Sequence, residues 1–122
     1  MANNNNILGF ATNSTFQIPS INIKLETSNY SLWRTTIIST LETFDLDSFM
    51  FSRTPPDETR AVQPAITPPT TEPNPSYQQW KKRDRYVLLW LKSTLSERSL
   101  SIVARGSSSR TSWLAIETTF QA

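Results

Sequence analysis

At 122 residues the chain has room for one domain, and its 37% hydrophobic content is low because polar tracts dilute it. Zero cysteines and zero histidines exclude a disulfide scaffold, a thiol nucleophile, the commonest general base and the usual transition-metal ligands. Twelve basic against ten acidic residues leave a net charge of +2, so a nucleic-acid reading needs local clustering rather than bulk charge.

Residues 1–20 read as a disordered polar arm, rich in Asn, Ser and Thr. The start, "MANNNNILGF", has neither the basic region nor the long apolar run of a secretory signal. The longest apolar run, Tyr86 to Leu91, is far too short to cross a membrane. These features predict a soluble, cytoplasmic protein with no membrane partner.

Residues 21–51 form the first helical block. Ile21, Ile23 and Leu25 alternate with Asn22, Lys24 and Glu26, which predicts a short extended segment laid on a helical core. In "SNYSLWRTTIISTLETF", Asn29 is placed to cap a helix. Tyr30, Trp33, Ile37, Leu41 and Phe44 then fall within an arc of about 80°. "DLDSFMF" predicts a second short helical turn, capped by Asp45 or Asp47.

Residues 52–74 read as a proline-rich surface loop. Seven of the eight prolines lie between positions 52 and 76, a density that excludes a helix or a central strand. The loop ends in "NPSYQQW", where Asn74 can cap a helix and Pro75 suits its first position.

Residues 75–122 form the second helical block of the same domain. Tyr77, Trp80, Val87, Leu88, Leu91 and Leu95 share an arc of about 100°, while Leu89 and Trp90 project elsewhere. This longest helix is therefore expected to sit centrally, with neighbours on two sides. In "SERSLSIVARG", Ser96 caps, Leu100 and Val103 point inward and Gly106 stops the helix. In "SSSRTSWLAIETTF", Ser108 or Ser109 caps a last helix with Trp113, Ile116 and Phe120 on one face. The expected fold is all-α: four to five helices, a short extended N-terminal segment and a long proline-rich loop.

The four tryptophans at this spacing are expected in the core, where each ring covers roughly 150 to 250 Å². Core candidates are Tyr30, Trp33, Ile37, Leu41, Trp80, Leu88, Trp90, Leu91, Trp113 and Phe120. Asp84 falls inside the apolar stripe of its helix. A buried carboxylate must be hydrogen-bonded or paired, here by an indole N–H of Trp33 or Trp113, a helix-start amide, or Arg34. The other reading leaves Asp84 in water, on a helix half that overhangs the core.

Catalytic groups are sparse. Two glycines cannot build a phosphate-cradling loop, and Asp45 with Asp47, or Asp57 with Glu58, read as caps or solvated loop charges. Neither an enzymatic activity, a cofactor, a metal nor a small-molecule substrate is expected. The basic run Lys81, Lys82, Arg83 and Arg85, flanked by Tyr77, Trp80 and Tyr86, is the candidate nucleic-acid contact. Its cations spread around the helix, which favours an ordinary solvated surface.

The elements Lys24-Leu25, Asn29-Tyr30-x-x-Trp33, Asn74-Pro75-x-Tyr77-x-x-Trp80-x-x-x-Asp84, Trp90-Leu91, Leu95-Ser96-Glu97, Trp113 and Phe120 occur in order. As a set, across about residues 24 to 120, they resemble the N-terminal part of the Gag polyprotein of plant copia-type LTR retrotransposons. The resemblance implies a capsid-type helical domain that self-associates or assembles with other Gag chains into particles around element RNA, with no catalytic residues here. Two positions depart from the pattern. "DLDSFMFSRTPP" lacks the glycine often found before the proline loop, and Thr111 stands where an acidic capping-box partner is common. The family's zinc knuckle, Cys-x2-Cys-x4-His-x4-Cys, is absent, so RNA binding is expected to be weak. The chain is accordingly expected to be a truncated domain or a remnant whose last helix exposes Trp113, Ile116 and Phe120. A small nucleic-acid-binding protein using Lys81 to Arg85 is the alternative.

Overall fold

The computed structural model describes residues 17–51, 55–62 and 70–121. Among them are five α-helices: α1 (Tyr30–Thr43), α2 (Ser48–Phe51), α3 (Pro75–Ser93), α4 (Glu97–Leu100) and α5 (Ser109–Phe120). A two-stranded antiparallel hairpin, β1 (Thr59–Ala61) and β2 (Thr71–Pro73), precedes α3. The fold is therefore mostly helical, with one small sheet.

The helices begin where local chemistry supplies their unpaired amides. Asn74 accepts from Ser76 N at 3.1 Å, and Pro75, lacking a donor, opens α3. Ser96 Oγ accepts from Ser99 N at 3.1 Å, and Ser108 Oγ from Thr111 N at 3.2 Å. The Thr111 hydroxyl stands 2.9 Å from Ser108 Oγ, so a hydroxyl pair occupies the place of an acidic capping-box partner. Asn29 differs from expectation. It precedes α1 but caps nothing in it: its carboxamide accepts from Glu26 N at 2.8 Å and donates to Lys24 O at 2.9 Å. The side chain closes the entry turn instead.

Between the first two helices, Asp45 adopts φ 58°, a left-handed turn tolerable for aspartate, and Leu46 N reaches back to Leu41 O at 2.8 Å. Beyond the reversal, Leu46 and Met50 are buried, and α2 packs against α5. Gly106 has a packing reason. A β-carbon there would stand 2.1 Å from Ser112 Oγ and 3.2 Å from Val103 O, so only glycine lets this turn lie against α5.

The core gathers Trp33, Ile37 and Leu41 from α1, Met50 from α2, Val87, Trp90 and Leu91 from α3, and Trp113 and Ile116 from α5. Trp33 and Trp113 stack with ring centroids 5.6 Å apart, and Phe51 meets Trp113 edge-on at 5.8 Å. Helix α5 packs against α2, α3 and the 3₁₀ turn Ser101–Val103.

The structure corrects three further expectations. Residues 17–20 belong to the packed domain rather than the polar arm: Ile18 is 6% exposed, and Pro19 O accepts from Trp90 Nε1 at 2.9 Å. Residues 1–16 lie outside the described residues. The proline-rich segment forms strands after all. Pro73 pairs with Thr59 at the end of a two-stranded hairpin, an edge where a missing N–H is harmless. Positions 52–54 and 63–69 of that segment lie outside the described residues. Finally, α5 exposes little of its expected face: Trp113 is 1% and Ile116 0% exposed, covered by α1, α2 and α3, while Phe120 stays half-buried.

Candidate functional site

The extended segment 17–25 lies along the C-terminal half of α3. Ile18 N donates to the Tyr86 hydroxyl at 2.7 Å, and Leu25 N to Thr94 O at 2.9 Å. Leu25 bridges Leu95 in parallel, and Lys24 Nζ donates to Ser93 O. Trp33 Nε1 donates to both Thr94 O (3.1 Å) and Thr94 Oγ1 (3.2 Å), so the first turn of α1 is anchored on the same spot. Burial pushes the Tyr86 phenol up from its ordinary value, against the lowering effect of the Ile18 amide. Thr94, 1% exposed, is the polar hub that sequence periodicity does not mark.

The α3–α5 junction holds Asp84. It is 4% exposed; its carboxylate accepts from Ser109 N at 3.2 Å, and its backbone carbonyl accepts from Ser109 Oγ at 2.9 Å. Of the three partner types considered, the helix-start amide is the one used. Trp33 serves Thr94, Arg34 serves Glu117 at 3.0 Å, and Trp113 Nε1 is buried with no hydrogen-bond partner. Burial raises the Asp84 carboxyl above its ordinary value, opposed by the Ser109 bonds and the Arg85 charge.

The other core candidates sort by position. Ile37, Leu41 and Leu91 are fully buried, and Leu88 and Trp90 are buried nearer the surface. Tyr30 and Phe120 are half-buried and stacked on each other at 5.7 Å. Trp80 departs from expectation: it is only half-buried, between Phe49 (5.7 Å) and Tyr77 (6.2 Å), at the margin of the core. The early turns of α3 overhang, but Asp84 sits past the overhang.

Arg34 links α1 to α5. Its guanidinium meets Glu117 and lies 5.8 Å from the Trp113 ring centroid. The Glu117 bond holds its pKa above the usual arginine value, while burial raises the Tyr30 phenol beside it. Arg110 Nη1 donates to Met50 O at 3.0 Å and to Phe51 O, closing the end of α2.

Clefts open on the surface among the described residues. One, of about 450 Å³, is walled by Glu26, Arg98, Ser99, Ile102 and Phe120. Its Ser96 and Ser99 hydroxyls are committed to capping α4 and to Leu25 O at 3.1 Å. Another, of about 260 Å³, lies between Asp45, Phe49, Gln79 and Trp80. Among the described residues no group of three or more acidic side chains could hold a metal ion, and no helix is long and apolar enough to cross a membrane.

Lys81, Lys82 and Arg85 are exposed on α3, whereas Arg83 is half-buried and already engaged in contacts. Arg83 thus stands apart from the other three. Leu32, Leu89, Leu100 and Leu114 are exposed large apolar residues on α1, α3, α4 and α5, so Leu100, expected to point inward with Val103, does not. What the fold defines is a helical domain with an aromatic core, an N-terminal strap and chemically distinct outer faces. Comparison of the chain with protein-family models, curated proteins and solved structures returned no match.

Proposed function

We propose that the chain is a structural, non-enzymatic module: the capsid-type N-terminal domain of a copia-type retrotransposon Gag polyprotein, or a remnant of one, acting in self-assembly in the cytoplasm. One observation carries this reading. Most of the in-order elements that resemble the family are spent on packing, while Ser96, Phe120 and Trp80 also wall clefts. Leu25 bridges Leu95, Trp33 stacks on Trp113, Trp90 holds the strap, and Asp84 ties α3 to α5. A set of residues so used supports a structural rather than a catalytic role.

Assembly also needs apolar surface left outside the core. Leu32 is 60%, Leu89 64% and Leu114 41% exposed. Leu114 adjoins Ile102 and Ala115 on the outer side of α5, and this groove is the contact we assign to further Gag chains. The genomic sequence on either side of the coding segment tests the reading. In-frame helical capsid sequence followed by a Cys/His knuckle is expected; an unrelated gene context with no retrotransposon sequence would overturn it.

A further inference from the structure

The 19-residue α3 carries Lys81, Lys82, Arg83, Arg85 and Lys92 but a single anion, Asp84. That anion is 4% exposed and turned to Ser109, so it shows solvent almost no charge. At about 100° per residue, Lys81, Lys82, Arg85, Leu89 and Lys92 share an arc of about 100°. The first four are exposed and Lys92 is half-buried, while Val87, Leu88 and Leu91 are buried on the other side. Among the described residues, the ion pairs are Arg34–Glu117 and Arg60–Glu72, so none engages these four cations.

We infer that this face of α3 docks the phosphodiester backbone of a nucleic acid, without reading its sequence. Lys81 and Lys92 stand about 16 Å apart along the helix, at 1.5 Å per residue. Over that length one strand of a duplex carries about five phosphates, a density that four uncommitted cations match. Flexible ammonium groups suit phosphates as point charges and carry no base-edge code. An anionic membrane fits less well. An interfacial helix needs an apolar face for the acyl boundary, and the apolar face of α3 is already in the core. Leu89 is the stripe's one apolar member. The inference is independent of the assembly reading, because a monomer would bind equally.

Fluorescence anisotropy tests it with the full chain, a single-stranded RNA of roughly 20 nucleotides and a duplex DNA of about the same length. Four phosphate contacts predict slopes of log K against log salt near about −2.8 for the RNA and −3.6 for the duplex. Affinity should fall about 50-fold and 150-fold, respectively, between about 50 and 200 mM salt. The relative strength of the two arms tells which nucleic acid the face prefers. K81A/R85A should roughly halve either slope, whereas Arg98→Ala, removing an exposed cation on α4, and Leu89→Ser should leave it unchanged. The inference is overturned if neither nucleic acid binds at the lowest salt, or if K81A/R85A behaves as the parent. It is equally overturned if phosphatidylserine vesicles bind while nucleic acids do not, with Leu89→Ser abolishing that binding.

Discussion

Asp84 and Ser109 are bonded reciprocally. The carboxylate accepts the Ser109 amide at 3.2 Å, while the Ser109 hydroxyl donates to the Asp84 backbone carbonyl at 2.9 Å. One residue of α3 thereby serves an unpaired amide at the start of α5. Asp84→Leu strands that amide in a buried site, a loss of about 1 to 3 kcal/mol. Asp84→Asn keeps the acceptor oxygen and should cost less. Urea unfolding of both variants at about pH 5 measures the difference; an Asp84→Leu chain more stable than the parent would contradict the pairing.

The same carboxylate makes stability depend on pH. Burial raises its folded-state pKa above the ordinary value of 3.8. A raised folded pKa means the folded chain holds this proton more tightly than the unfolded chain does. Its contribution is complete below the unfolded value and is lost as pH rises through the folded one. The stability of the parent relative to Asp84→Asn should therefore increase on acidification from about pH 7 toward about pH 4. Urea midpoints of the pair across that range measure it. A constant difference would mean the carboxyl titrates alike in both states.

The two buried indoles should respond differently to loss of their N–H. Trp33 donates to Thr94 twice, whereas Trp113 has no partner. Trp33→Phe removes real bonds and should cost about 1 to 3 kcal/mol. Trp113→Phe removes an unsatisfied donor, so it should cost less than Trp33→Phe by about 1 kcal/mol or more, both variants sharing the loss of ring volume. Truncation erases that asymmetry: either residue changed to Ala should lose roughly 3 to 5 kcal/mol. Thermal and urea denaturation of the four variants decide the ranking, and equal costs for the two Phe variants would refute it.

Apolar periodicity made much of this fold legible. The stripes of α1, α3 and α5 are readable because burial of one helix face imposes the 3.6-residue period. Asp84 was visible because it interrupts such a stripe. Its partner was not, because Ser109 is one of three consecutive serines and only tertiary geometry selects it. Thr94 and Gly106 were opaque for a related reason: one is a hub for groups 61 or more positions away, the other yields to Ser112. The hairpin was missed because proline counts speak against central strands, not against a two-stranded edge. Position along the sequence does not separate Arg83, half-buried, from Lys81, Lys82 and Arg85, which are exposed.

Gly106 offers a compact check on the turn before α5. Gly106→Ala forces a β-carbon against Ser112 Oγ and should cost about 1 to 3 kcal/mol. Adding Ser112→Ala removes the clashing atom, which is itself buried without a partner. The double variant should then recover much of the loss, a coupling visible in a double-mutant cycle. Additive costs would place the strain elsewhere.

Self-assembly is the central claim, and sedimentation velocity over a wide concentration range tests it most directly. The outer groove of α5, with Leu114 41% exposed beside Ile102, is the assigned contact, so Leu114→Asp should weaken association without unfolding the core. The account predicts a sedimentation coefficient that rises with concentration in the parent chain and a much flatter rise in Leu114→Asp. A parent chain that stays monomeric throughout, or a variant that associates as the parent does, would contradict it.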